Sequence, residues 1–155
     1  MKGKQKVIKQ LQSLLNGELG ARDQYFAHSR MYRYWGLNKL FERINHEMEE
    51  ETEHADALVE RILFLEGTPD FSQPMKPRVG KDLKQMLQND LEVEYEVVDD
   101  LKKAIAICEK EQDYDTREIL LKLLDDTEMD HAYWLETQLG LIEKIGLGNY
   151  MQSQL

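Results

Sequence analysis

Apolar residues recur at three- and four-residue intervals through most of this chain, and the few breaks in that rhythm mark its elements. The first predicted helix runs from about residue 5 to Trp35, with Gly36 as its stop and Asn38 capping the next. The second spans Lys39 to about Glu66 and ends at Gly67. Residues 67–81 have no helical period and hold all three prolines, Pro69, Pro74 and Pro77, so they form the one long connection. Asp82 caps a third helix that reaches about Gln112. Asp115 with Glu118 reads as a capping box for a fourth, ending near Ile145 and Gly146. The tail from Leu147 to Leu155 suits a short fifth helix docked on the rest. The expected fold is all-α: residues 1–155 form one domain, a four-helix bundle whose long crossover joins helices 2 and 3.

Four glutamates interrupt the apolar stripes. Seven residues of α-helix turn through about 700°, within roughly 20° of two full turns, so positions seven apart share a face. At that spacing Glu18 lies between Leu11 and Tyr25, and Glu51 between Ile44 and Leu58. Glu94 lies between Leu87 and Leu101, and Glu128 between Leu121 and Leu135. A buried, unpaired carboxylate is costly, so four of them converging require positive charge at the centre.

The spacing also repeats. Glu18 to Glu94 is 76 residues, and Glu51 to Glu128 and His54 to His131 are each 77. Each half therefore reads as a helical hairpin with one Glu on its first helix and Glu-x-x-His on its second. Four carboxylates and two imidazoles are the ligand set of a carboxylate-bridged di-metal site in a bundle core. Two divalent ions cancel the four negative charges, as a low-dielectric core demands. Oxygen and nitrogen donors without thiolate favour iron or manganese, with zinc a redox-silent competitor. Tyr25 is either a hydrogen-bond partner of this site or simply a core aromatic.

Composition narrows the partners. A formal net charge of −10 with no basic stretch argues against nucleic acid and suits attraction of cations. No stretch approaches a membrane span, and the N-terminus lacks the apolar run of a signal peptide. The single cysteine, Cys108, fits a reducing compartment and a packing role, so the cytoplasm is the expected location.

The six residues, the Pro-containing crossover and three longer stretches together resemble bacterioferritin, in the ferritin-like superfamily. The stretches are Asp23-Gln-Tyr-Phe-Ala-His-Ser-Arg-Met-Tyr32, Arg61-Ile-Leu-Phe-Leu-Glu-Gly67 and Leu139-Gly-Leu-Ile-Glu-Lys-Ile-Gly-Leu-Gly-Asn-Tyr150. The resemblance spans essentially the whole chain. It implies a hollow shell of 24 subunits built from twofold dimers, with a ferroxidase centre holding two irons inside each bundle. Fe(II) would be oxidised by O2 or H2O2 and stored as ferric mineral. By the same resemblance Glu51 and Glu128 bridge the irons, Glu18 and Glu94 are terminal ligands, and His54 and His131 bind one iron each. An inner-surface iron site of the family falls on His46 and Glu50, where other members carry Asp at the second position. His28 is expected to be structural.

One position departs from the family. Its haem, bound between twofold-related subunits, is ligated by a methionine that belongs at position 52, where this chain has Thr52. A threonine hydroxyl cannot replace a soft thioether, and Met48 lies a full 5.4 Å helical turn away. A homo-oligomer is therefore expected to lack haem b, unless the chain assembles with a second, Met-bearing subunit. Two rival readings remain: a di-iron oxidase or peroxidase without mineral storage, and a helical scaffold or DNA-protecting mini-ferritin. The single cysteine disfavours a rubrerythrin-like oxidase; the apolar-stripe placement of the acids disfavours a scaffold.

Overall fold

A computed structural model describes all 155 residues, Met1 to Leu155. Four long helical rods pack side by side: α1 (Gln5–Tyr34), α2 (Asn38–Phe64), α3 (Leu83–Lys110) and a fourth that is not uniform. That fourth rod is α4 (Tyr114–Asp125), a wide π-helical turn (Asp126–Ala132) and α5 (Tyr133–Ile145) in succession. A short α6 (Leu147–Ser153) follows, docked through Tyr150, whose fully buried hydroxyl donates to Gln138 Oε1 at 2.7 Å. No helix is long and apolar enough to cross a membrane.

The first three rods meet along the predicted faces, and the fourth joins them through Leu120 rather than Leu121. Leu11, Leu15, Ile44, Leu58, Leu87, Leu101, Leu120 and Leu135 are all buried in one continuous core. α1 packs against α2 and α3, and α3 against α4 and α5. Cys108 sits in this core, where burial pushes its thiol up to about 11, consistent with packing rather than reactivity.

Three boundaries differ from expectation. α2 begins at Asn38 itself, with Leu37 at the cap position and no side-chain cap. α2 ends at Phe64, and the left-handed residue that turns the chain out is Glu66 (φ 66°), one before Gly67. Asp113, rather than Asp115, caps α4: it accepts from Thr116 N at 3.1 Å while its carboxylate also meets Arg61. Arg61 reaches it from α2, a long-range partner that no local capping pattern contains.

The crossover is held along α1. Met75 N donates to Asn16 O at 2.8 Å, and the Gln12 amide makes two hydrogen bonds with the Asp70 backbone. Gly20 allows this approach, because a Cβ there would collide with the Met75 carbonyl. Further along, Arg78 N donates to Gln24 Oε1 and Gly80 N to His28 Nε2, each at 3.0 Å. The acceptor role of Nε2 makes Nδ1 the donor of a neutral His28, and Nδ1 lies 2.8 Å from Asp90 Oδ1. Gln24 Nε2 donates to the same oxygen at 2.7 Å. Gln24, His28 and Asp90 are completely buried. His28 is thus structural, as expected, while Asp90 and Gln24 were not anticipated.

Candidate metal centre

Midway along the bundle the rods bring acidic and imidazole groups together where the core should be apolar. Glu18, Glu51, His54, Glu94 and His131 are each at most 5% exposed. They form two half-sites. His54 Nδ1 lies 3.5 Å from Glu18 Oε2 and 3.7 Å from Glu51 Oε2. His131 Nδ1 lies 3.0 Å from Glu51 Oε1 and 3.5 Å from Glu94 Oε1. Glu51 thus offers one oxygen to each half, and the two imidazoles stand 5.8 Å apart, only 19° from parallel.

Both rings are aimed from behind by carboxylates, of which the sequence singled out only Glu50, and that for the inner-surface pair. His54 Nε2 meets Asp126 Oδ2 at 3.2 Å; His131 Nε2 meets Glu47 Oε2 at 2.5 Å and Glu50 Oε2 at 2.6 Å. An Nε2–H held this way leaves Nδ1 as the lone-pair nitrogen and points it inward, the arrangement found behind metal-binding histidines. Glu47 and Asp130 are both bound by Arg43, which stacks on Trp134. The expected inner-surface pair is adjacent: exposed His46 Nε2 lies 2.7 Å from Glu50 Oε1. Glu50 therefore connects His46 on the surface to His131 in the core.

Tyr25 donates its hydroxyl to Glu94 Oε1, so of its two readings the structure has the hydrogen bond. Burial, with the Glu94 and Asp90 charges beside it, pushes the phenol well above its usual value and keeps it a donor.

Glu128 is the exception. Its side chain is 42% exposed and its nearest charge is Lys102 Nζ at 3.7 Å. The cause is the π-turn, where each residue advances roughly 80° instead of about 100°. Glu128 and His131 then diverge by about 115°, where three α-helical residues would leave them about 60° apart. The heptad count from Leu121 through Glu128 to Leu135 fails for the same reason. The buried positions there are Leu120, Leu123, Thr127, His131, Ala132 and Leu135, and from Leu123 through Thr127 and His131 to Leu135 they run in three consecutive four-residue steps.

The interior of the site fits cations. Both oxygens of Glu18, Glu51 Oε2, Glu94 Oε2, His54 Nδ1 and His131 Nδ1 are buried without hydrogen-bond partners. So many orphaned donor atoms of one kind are costly unless something positive sits among them. Two groups, Glu18–Glu51–His54 and Glu51–Glu94–His131, have ligand atoms close enough together to hold one ion each.

Without metal the cluster is held by protons. Burial alone would raise Glu51, but its contacts with His131 and His54 outweigh that and hold it at about 2. Burial and repulsion from Glu51 push Glu94 up to about 7. Burial would lower both imidazoles, yet the surrounding carboxylates raise His54 and, much further, His131. A raised group stabilises the folded chain fully below its ordinary value and loses that contribution as pH rises through the folded value. For Glu94 the window runs from 4.5 to about 7, and for the histidines it opens at 6.5. Ions must displace these protons, so Zn(II) binding at pH 6 is expected to release roughly two to three protons per subunit. Calorimetry in buffers of different ionisation enthalpy measures this; proton-neutral binding contradicts it.

A model of the ferritin-like domain matches residues 8–145. The bacterial ferritin of Synechocystis sp. is 66% identical over 155 residues, covering all of this chain and 99% of the relative. The bacterial ferritin of Neisseria meningitidis serogroup B is 57% identical over the full length of both chains. The bacterioferritin of Mycobacterium avium is 39% identical over 150 residues, covering 97% of this chain and 94% of the relative.

Proposed function

Because this chain belongs to the ferritin-like domain family, we propose that it is an iron-storing ferroxidase, oxidising Fe(II) at the centre inside its bundle. The observation that carries this is Glu51, with one carboxylate oxygen turned to each imidazole at the meeting point of two half-sites. Fe(II) is the substrate, two ions per subunit: Glu18 and His54 would hold one, Glu94 and His131 the other, and Glu51 both. Glu128 is proposed as the sixth ligand, giving four carboxylates against two divalent ions. Each Fe(II) gives up one electron to O2 or H2O2.

The chain's own groups prepare that transfer. Asp126, Glu47 and Glu50 fix the tautomer and direction of the two rings. Tyr25 keeps one Glu94 oxygen oriented. Tyr25→Phe is expected to slow Fe(II) oxidation about tenfold with little loss of binding, since it releases an outer hydrogen bond and no ligand. Stopped-flow absorbance at saturating Fe(II) checks this; an unchanged rate assigns Tyr25 to packing.

His46 and Glu50 are proposed as a transfer point for iron on the inner surface, because Glu50 spans from exposed His46 to His131. The family's shells support self-assembly, and a 24-subunit shell built from twofold dimers is proposed. Haem is not expected in a homo-oligomer. Thr52 is exposed, its hydroxyl donates to Met48 O at 3.0 Å, and Met48 packs against the core. A Met-bearing second subunit would be needed to supply haem ligands. A cytoplasmic location is proposed, in keeping with a free buried thiol.

Aerobic addition of hundreds of Fe(II) per subunit tests storage. Iron retained in a large hollow particle with a dense core supports the proposal. Oxidised iron released as precipitate would favour the alternative, a di-iron oxidase without storage.

A further inference from the structure

We propose that the π-turn Asp126–Ala132 is a movable register element that carries Glu128 from the surface into the centre when metal fills it. The inference rests on the di-metal reading above.

The centre is one carboxylate short. Glu18, Glu51 and Glu94 supply three buried negative charges, whereas two divalent ions bring four positive ones. The missing group stands on the nearest stretch of the fourth rod, turned away only by the local width of the helix. A π-turn holds one surplus residue, and that surplus is not bound to one place. Moving it one turn back, into Leu121–Asp126, puts residues 127–132 in phase with α5. Glu128 then lies about 60° from His131, on the same side of the rod.

On the solvent side of the rod the move costs little. The Lys102 pair that Glu128 leaves is between two exposed side chains, at a distance where such pairs contribute little. Leu121, Leu124, Asp125, Glu128 and Met129 line an open surface groove, so one side of the stretch that must rotate faces solvent, while Leu123, Thr127 and His131 on its other side stay buried. Three side chains hold the present register: Thr127 Oγ1 donates to Leu123 O at 2.8 Å, Asp126 Oδ2 meets His54 Nε2 at 3.2 Å, and Arg43 donates to Asp130 Oδ1 at 2.9 Å. What drives the shift is the charge of the ions, which the outward register leaves unbalanced.

Zn(II) tests the proposal without oxidation chemistry. The assembled protein is titrated to two Zn(II) per subunit while Trp134 emission and amide exchange over residues 121–133 are followed. Trp134 is a local reporter, because it adjoins the turn and stacks on Arg43, which grips Asp130. Both signals are expected to change in the native chain, exchange by about tenfold or more at several amides. In Glu128→Gln, which keeps the other five ligands, both changes should be several-fold smaller, what remains being the effect of ligation at His131 itself. In the Zn-bound native crystal, a Glu128 oxygen should lie about 2.0–2.2 Å from zinc. Two bound Zn(II) with Glu128 still at the surface, or equal signals in Glu128→Gln, would overturn the register shift alone. Failure of the native protein to bind Zn(II) would overturn the di-metal reading and this inference with it.

Discussion

Glu51→Ala is expected to lower the initial rate of Fe(II) oxidation by about two orders of magnitude or more while the chain still folds and assembles. No other side chain addresses both half-sites. His54 meets one Glu51 oxygen and His131 the other, at 3.7 and 3.0 Å. Without it, two ions would lose the ligand they are proposed to share, and nothing else would fix their separation. The metal-free fold should tolerate the change, because Glu51 acts on it in opposite directions. Its contacts with the two imidazoles are favourable and hold it at about 2, whereas its charge is a cause of the raised Glu94. Deleting it removes both effects. Glu51→Gln, which keeps shape and loses charge, should be nearly as inactive. Stopped-flow oxidation with thermal melts of the metal-free proteins separates the two properties. A rate within about threefold of native would mean that the centre does not work as a bridged pair.

Asp90→Ala is expected to destabilise the metal-free protein by about 3–5 kcal/mol, a fall of about 10 °C in Tm. One oxygen of Asp90 serves both Gln24 and His28, and those two hold the crossover through Arg78 N and Gly80 N. Truncation strands a buried N–H on Gln24 and another on His28, and leaves a cavity at a completely buried position. Asp90→Asn keeps an acceptor oxygen and should recover more than half of the loss. Differential scanning calorimetry reads both variants. A cost below about 1 kcal/mol for Asp90→Ala would show that the crossover is held by other contacts.

Much of this was legible in the sequence because α-helical geometry is regular. The rods α1 to α3 and the convergence of Glu18, Glu51, His54 and Glu94 followed from a constant 100° per residue. The crossover was legible because its three prolines and missing period exclude a helix. The fourth rod was misplaced where that constancy fails. Glu128 has apolar neighbours seven residues to either side, yet the π-turn rotates it outward. The only trace in the sequence is the run Leu123, Thr127, His131, Leu135, whose unbroken four-residue steps a straight α-helix cannot keep on one face. Asp126, Glu47 and Asp90 were illegible for another reason. Each acts through a partner more than sixty residues away, and one acidic residue among thirty looks like any other until the chain is folded. The Asp113 cap belongs with them, since Arg61 completes it from α2.

Anaerobic titration of the metal-free assembly with Fe(II), followed by air, tests the central claim most directly. Ultraviolet absorbance and particle sizing are recorded together. Saturation at about two Fe(II) per subunit is expected, with oxidation within seconds and then continued uptake of iron into the same large particle. Saturation at one ion or none, or oxidation no faster than in buffer, would contradict it.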